Sequence, residues 1–340
     1  MNSVQKQDIE DFVKSFPITK FSDQLKNSTF LITGATGLIG SSLIHCLLAL
    51  KQNIHIIAPV RNKEKALNIF GFSKEIEIIE CNLDSLDYKK LGVTDYVIHC
   101  AAPTSSKFFV EKPVETFNTI LQGTSAMLEY AKSQSIKSFV YLSSLEVYGE
   151  NHDDSVIMDE SYQGYLNPLS VRSSYPMAKR AAENLCFNYA KEYNIPIKIA
   201  RLAQTTGAGI AKEDDRALAQ FSKLIIKGQD IILRTTGESA RPCCYTMDAI
   251  SAILYILLAG RSGEAYNVAN DSTYISVRGM AEYLQKNFNP SIKVRIELNE
   301  NMGYPPATKQ KLTSEKLRNL GWAPHYGLKE VFERLIKYLK

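Results

Sequence analysis

The chain has 340 residues, with 40 Lys and Arg against 36 Asp and Glu for a net charge of +4, and 45% hydrophobic and 22% charged residues. These proportions suit a large soluble unit and exclude disordered, collagen-like and disulfide-stapled chains. The basic residues gather in no dense stripe, which argues against nucleic acid as a partner. Six cysteines without a CxxC pair and five scattered histidines give no metal-ligand spacing, and the thiols read as reduced residues of a cytoplasmic protein. The first residues are polar and mixed in charge, unlike a secretory leader, and the longest apolar stretch, 249–259, is too short to span a bilayer, so no membrane partner is expected.

Residues 1–27 hold one amphipathic pattern (Ile9, Phe12, Val13, Phe16), which predicts a helix packed on the core with no chemistry of its own. From residue 28 onward, short β-rich runs alternate with helix-length amphipathic segments. Strands are expected over 29–33, 54–60, 76–81, 96–99, 138–143, 197–201 and 265–268, and helices over 38–51, 62–70, 113–133 and 175–193. This rhythm is that of βαβ units, and the expected fold is α/β, a doubly wound parallel sheet of Rossmann type with a smaller C-terminal substrate-binding region. Two stretches, 203–245 and 271–324, break the rhythm and are rich in Gly, Pro and charge; they are expected to cap a substrate at the carboxyl edge of the sheet. The organisation expected is thus an extension over 1–27, a dinucleotide-binding domain over 28–202 plus 246–269, and a substrate region over 203–245 plus 270–340.

The run Phe30-Leu31-Ile32-Thr33 leads into Gly34-Ala35-Thr36-Gly37-Leu38-Ile39-Gly40 and then into a helical pattern. Glycines at that turn let backbone amides approach a pyrophosphate at the positive end of a helix, so Gly34, Thr36, Gly37, Leu38, Ile39 and Gly40 are candidate cofactor-binding residues. The acidic residue that would hold both ribose hydroxyls of NAD is missing where the second strand ends, Ala58-Pro59-Val60-Arg61-Asn62. Arg61 either pairs with the 2′-phosphate of NADP or lies across the adenine ring. Asn82 and Leu83 follow the third strand toward the adenine, and Ala101-Ala102-Pro103 follows the fourth toward the other half of the cofactor.

Tyr175 and Lys179 form the one YxxxK in the chain, and their spacing places phenol and ammonium on one helix face. Removing a hydride from a secondary alcohol requires removing its proton too. A tyrosine is a poor base at neutral pH unless a cation stabilises its phenolate, which is the role expected of Lys179. Ser144, at the exit of the strand over 138–143, is expected to orient the reacting hydroxyl beside Tyr175.

With these motifs in place the chain resembles the extended short-chain dehydrogenases/reductases, specifically their NAD-dependent sugar-nucleotide epimerases, dehydratases and decarboxylases. Ala200-Arg201-Leu202-Ala203-Gln204, the spacing of Arg241, Tyr245 and Asp248, Tyr266-Asn267-Val268 and Leu320-Gly321-Trp322 are similar to further signposts of that family. The resemblance implies NAD as cofactor, with NADP left open by Arg61, and a nucleotide sugar contacted by Gln204 and, at its pyrophosphate, by Arg241. It also implies a homodimer formed through the helices over 113–133 and 175–193. Within the family, Ser144-Leu145-Glu146 is most similar to the UDP-glucuronate decarboxylases, which pair a hydroxyl residue with a glutamate two positions later. Leu145 cannot supply the proton that a 4,6-dehydratase gives a departing hydroxyl, and Glu146 is more than a simple 4-epimerase needs; a nucleotide-sugar 4-epimerase, 4,6-dehydratase or net oxidoreductase stays the alternative, and a dinucleotide-binding redox sensor the non-enzymatic one. Lys107 and Arg172 are candidates by charge for holding a substrate carboxylate.

Overall fold

The computed structural model describes residues 1–83, 91–298 and 307–340. In chain order its strands are β1 (Thr29–Thr33), β2 (His55–Val60), β3 (Ile76–Glu80), β4 (Tyr96–His99), β5 (Ser138–Ser144), β6 (Ile157–Met158), β7 (Ile197–Leu202), β8 (Gln204–Thr206), β9 (Ile231–Leu233), β10 (Ala240–Arg241), β11 (Cys243–Tyr245), β12 (Ala265–Val268), β13 (Ile275–Ser276), β14 (Val294–Ile296) and β15 (Lys311–Leu312). Seven of them make one parallel sheet in the order β12-β7-β5-β4-β1-β2-β3. The order reverses between β1 and β4, and that is where a doubly wound sheet opens a crevice at its carboxyl edge.

The helices are α1 (Ser3–Ser15), α2 (Ile18–Leu25), α3 (Leu38–Ala49), α4 (Lys63–Phe70), α5 (Ser106–Glu111), α6 (Pro113–Lys132), α7 (Ser174–Glu192), α8 (Ala217–Lys227), α9 (Thr246–Ala259), α10 (Val277–Phe288), α11 (Glu315–Arg318) and α12 (Leu328–Leu339). Successive strand side chains point to opposite faces, and here both faces are covered, which is why the central strands are apolar nearly throughout. Phe30, Ile32, Ile56, Ile98 and Val140 pack toward α3 and α9, whose Leu43, Leu47, Ile250 and Ile253 are buried. Leu31, Ile57, Val97, Phe139 and Tyr141 pack on the other face with Met127 and Leu128 of α6 and Ala178 and Ala182 of α7. α6 opens with Pro113 at its first position, where a missing N–H costs nothing.

Three features differ from the sequence reading. The first 27 residues form two helices, since Pro17 interrupts the pattern and starts α2; Phe12, Phe16 and Phe21 stack in series against Tyr255 of α9. The stretches expected to lack rhythm contain α8 and α10, which bury Leu218, Phe221 and Ile225 and Met280, Ala281 and Leu284. α3 ends at Ala49 rather than at residue 51, because Lys51 adopts a left-handed φ of 56°. Beyond the end of β7, β8 runs parallel to β11, while β10 is antiparallel to β13, so Gln204 and Arg241 lie on small sheets near the carboxyl edge.

Candidate active site

The turn between β1 and α3 is a backbone cradle. Gly34 has a φ of +66°, and a Cβ there would lie 2.9 Å from the Ala101 amide nitrogen. A Cβ on Gly40 would stand 2.3 Å from the Gly34 carbonyl oxygen, so a side chain at either position closes the turn. Gly37 caps α3 without a side chain, leaving the first amides of the helix, at Leu38, Ile39 and Gly40, without a capping acceptor. Thr33 Oγ1 holds the neighbouring strand end, hydrogen-bonding His99 Nδ1 at 2.7 Å and accepting the Ala101 N–H at 3.2 Å. Burial and then the charge of Lys179 push His99 down to about 3, so its ring stays neutral. This cradle fits the pyrophosphate of a dinucleotide, at a helix start with open amides and no Cβ in the way. Thr36, Leu38 and Ile39 are half-buried at its rim, as are Ala101, Ala102 and Pro103. Arg61 and Asn82 are exposed, and Leu83 is half-buried next to Gly123.

On the other side of the switch point the structure brings Tyr175, Ser144, Glu146, Arg172 and Arg241 into one pocket. Tyr175 is buried on the first turn of α7, with its phenol near Ser144 at the end of β5. The Ser144 hydroxyl accepts the Glu146 N–H at 3.2 Å, which fixes the short turn after β5. Glu146 is held by Arg172, whose Nη2 lies 2.9 Å and 3.0 Å from its two oxygens. The Arg241 guanidinium has no hydrogen-bond partner among the described residues, although its backbone pairs with β13. Burial lowers its pKa, against the attraction of Glu146. One carboxylate thus faces two guanidiniums, an arrangement with positive charge left over for an anionic ligand.

Lys179 sits one turn beyond Tyr175, as its spacing predicts, but its ammonium takes a different partner. It donates to the Leu142 carbonyl oxygen at 2.7 Å and lies 4.7 Å from the Tyr141 ring centre against 5.9 Å from that of Tyr175. Burial lowers its pKa to about 8, with Glu183 the largest opposing influence. The expectation that Lys179 lowers the phenol does not describe this state: Tyr175 is raised, first by burial and then by the charge of Glu146, with the nearby Ser144 hydroxyl opposing.

Of the two residues singled out by charge, Lys107 is not in the pocket; it is exposed on α5 and pairs with Glu111. Arg172 is in it. Sequence reasoning missed Phe109, whose ring stacks on Tyr175 at 4.2 Å and 10° and carries the Arg172 guanidinium 5.3 Å from its centre. The aromatic pair at 108–109 was the available signal, since a buried ring on so short a helix needs a partner across the cleft. Tyr245 and Asp248 are structural: the Tyr245 hydroxyl donates to Asp8 of α1, and Asp248 accepts the His325 and Tyr326 amides. Among the described residues no three His, Cys, Asp or Glu cluster as a metal site, and no helix is long and apolar enough to cross a membrane.

The pattern of the NAD dependent epimerase/dehydratase family matches residues 30–269. UDP-glucuronic acid decarboxylase 3 of Arabidopsis thaliana is 31% identical to this chain over 309 residues, which cover 89% of the chain and 86% of that protein. UDP-glucuronic acid decarboxylase 1 of Xenopus tropicalis is 27% identical, over 97% of the chain and 76% of that protein. Among solved structures, UDP-glucuronic acid 4-epimerase from Bacillus cereus, in complex with UDP-glucuronic acid and NAD, shares the fold with a TM-score of 0.78. It is 23% identical and covers 92% of this chain and 98% of its own.

Proposed function

On the premise that the chain belongs to the NAD dependent epimerase/dehydratase family, enzymes that modify sugar nucleotides, we propose that it is a UDP-glucuronate decarboxylase. The observation that carries this reading is the exit of β5. Ser144 stands beside the phenol of Tyr175, Leu145 is buried and apolar, and Glu146 is locked to Arg172. Such a site can oxidise a sugar hydroxyl but holds no acid at residue 145 to protonate a departing one, which disfavours 4,6-dehydration.

In this reading Tyr175 takes the proton of the sugar 4-hydroxyl while Ser144 holds the same oxygen. An oxidised nicotinamide held at the glycine cradle would supply a reversible hydride acceptor and a positive charge. A ketone at C4 is β to the carboxylate, so the C5–C6 bond breaks with its electron pair entering an enolate that Tyr175 and Ser144 stabilise by hydrogen bonds. Carbon dioxide leaves, Tyr175 protonates the intermediate, and one solvent proton enters overall. Lys179 orients the cofactor ribose, Arg172 meets the substrate carboxylate, and Arg241 and Gln204 hold the nucleotide. The cofactor belongs to residues 28–202 with 246–269, the sugar nucleotide to 203–245 with 270–340. A homodimer through α6 and α7 is part of the same reading, supported by exposed Val114 and Phe187; six unpaired thiols suit the cytoplasm.

The test is incubation of the purified protein with UDP-glucuronate and oxidised dinucleotide. Carbon dioxide and a UDP-pentose are expected, and Tyr175→Phe should lower the rate by at least about a hundredfold. Formation of UDP-galacturonate without gas would replace decarboxylation by 4-epimerisation.

A further inference from the structure

We propose that Arg180 is a positioning residue for the reaction: it ties the turn after β5, which carries Ser144 and Glu146, to α7, which carries Tyr175, and so fixes the separation between phenol, hydroxyl and carboxylate. The inference deepens the decarboxylase reading and rests on it. Arg180 follows Tyr175 by five residues on α7 and leaves the helix about 140° round from it. The turn is therefore met from two sides of one helix. Tyr175 stands beside Ser144, and Arg180 Nε donates to the Val147 carbonyl oxygen at 2.6 Å.

The same guanidinium reaches a second segment, its Nη2 donating to the Gly164 carbonyl oxygen at 2.8 Å. That segment lies backbone to backbone on the end of the turn. The Gly164 N–H donates to the Tyr148 carbonyl oxygen at 2.8 Å and the Glu150 N–H to that of Tyr165 at 2.9 Å. No side chain fits between them: a Cβ on Gly164 would stand 2.5 Å from the Tyr148 and Glu150 carbonyl oxygens, and one on Gly149, whose φ is +74°, would stand 2.4 Å from that of Tyr165. Arg180 fastens both halves of this contact to α7. Val147 is buried, so its carbonyl needs a protein donor, and the fork of a guanidinium can serve two carbonyls at once where an ammonium cannot hold both directions.

Arg180 is not spent on an ion pair. Glu183, three residues further along α7, is gripped by Arg201 instead. Burial and the charge of Arg201 disfavour the Arg180 cation, with Glu183 opposing them. A half-buried charge aimed at two carbonyls secures direction more than Coulombic energy. What the direction secures is chemical. Between Ser144 and Val147 lie only Leu145 and Glu146, so a shift of the Val147 peptide carries the serine hydroxyl and the glutamate carboxylate with it, away from Tyr175.

Steady-state rates of the full chain on UDP-glucuronate, expressed per bound dinucleotide, test this. Arg180→Ala should lower kcat by about tenfold to a hundredfold, the effect of displacing a reacting group by about 1 Å, and leave KM within about threefold. Arg180→Lys should fall between the variant and the native chain. Millimolar guanidinium chloride should restore part of the kcat of Arg180→Ala by refilling the gap, whereas a variant that had only lost stability would be harmed by the same denaturing ion. Native kcat and KM per bound dinucleotide in Arg180→Ala, with only the melting temperature lowered, overturn the proposal. So does a raised KM at native kcat, which would place Arg180 on the ligand. Should Arg180→Ala fail to fold, Arg180→Lys decides: a lowered kcat at native KM supports the assignment and an unchanged kcat refutes it. If the native chain forms UDP-galacturonate without gas, the decarboxylase reading falls, and the same kcat pattern on epimerisation still supports Arg180, because Tyr175 and Ser144 would serve both reactions.

Discussion

Replacing Glu183 by Gln should lower thermal stability and draw the alkaline limb of the activity profile toward neutral pH in one variant. Glu183 lies one turn beyond Lys179 on α7 and is buried. Arg201 of β7 grips it with Nε at 3.1 Å and 3.2 Å from its two oxygens and Nη2 at 2.7 Å. Arg201 Nη1 also donates to the Tyr148 hydroxyl at 3.1 Å and the Glu160 carbonyl oxygen at 2.8 Å. Removing one charge of a buried pair costs about 3–5 kcal/mol, and those two acceptors keep Arg201 partly satisfied, which points to the lower end. At about 2 °C per kcal/mol for a chain of this size, the melting temperature should fall by about 6 °C.

The second readout comes through Lys179. Glu183 is the largest influence opposing burial at that ammonium, so its neutralisation drops the Lys179 pKa below about 8. If the charged form orients the cofactor, activity is lost as pH rises through this pKa, and in the variant the loss begins at lower pH. Stability moves the other way. A folded pKa depressed from 10.5 to about 8 means that the unfolded chain binds more protons in this window, so this group's contribution to stability grows as pH rises across it. Opposite pH trends separate titration in the site from unfolding. Scanning calorimetry and initial rates from about pH 6 to 10 measure both. An unchanged melting temperature would show that the pair is worth nothing net, and an unchanged alkaline limb would refute Lys179 as its origin. Met at both 183 and 201 should recover much of the stability without restoring the limb.

Gly40→Ala should weaken dinucleotide binding by at least about tenfold in calorimetry, because its Cβ meets the Gly34 carbonyl oxygen at 2.3 Å, backbone against backbone; undiminished affinity would place the cofactor elsewhere. Asp8→Ala should lower the melting temperature by about 5 °C, since it strips the Tyr245 hydroxyl of its acceptor and removes one of the two carboxylates that Arg334 grips. An N-terminal segment that merely lay on the surface would give no change.

The sheet, the glycine turn and the Tyr175–Lys179 pair were legible because each is carried by local backbone. Strands buried on both faces must be continuous apolar runs, a turn without room for Cβ must be glycine, and an i,i+4 pair must leave a helix on one side. Contacts between distant segments were not legible. Phe109 reaches Tyr175 from a helix laid down before α6, Glu146 and Arg172 meet across 26 residues, and Asp8 meets Tyr245 across 237. α8 and α10 went unseen because stretches rich in Gly, Pro and charge surround their apolar faces.

Lys179 marks the boundary between the two kinds of information. Helical spacing correctly puts its stem on the side of Tyr175, yet the ammonium at the end of that stem has a choice of acceptors, and the Leu142 carbonyl at the end of β5 takes it. The phenol is then left to burial and to Glu146, both of which disfavour its anion. A site arranged in this way keeps Tyr175 protonated until charge arrives. In the proposed reaction a bound oxidised nicotinamide would bring further positive charge toward the phenol. Deprotonation of the substrate would then be tied to the presence of a hydride acceptor.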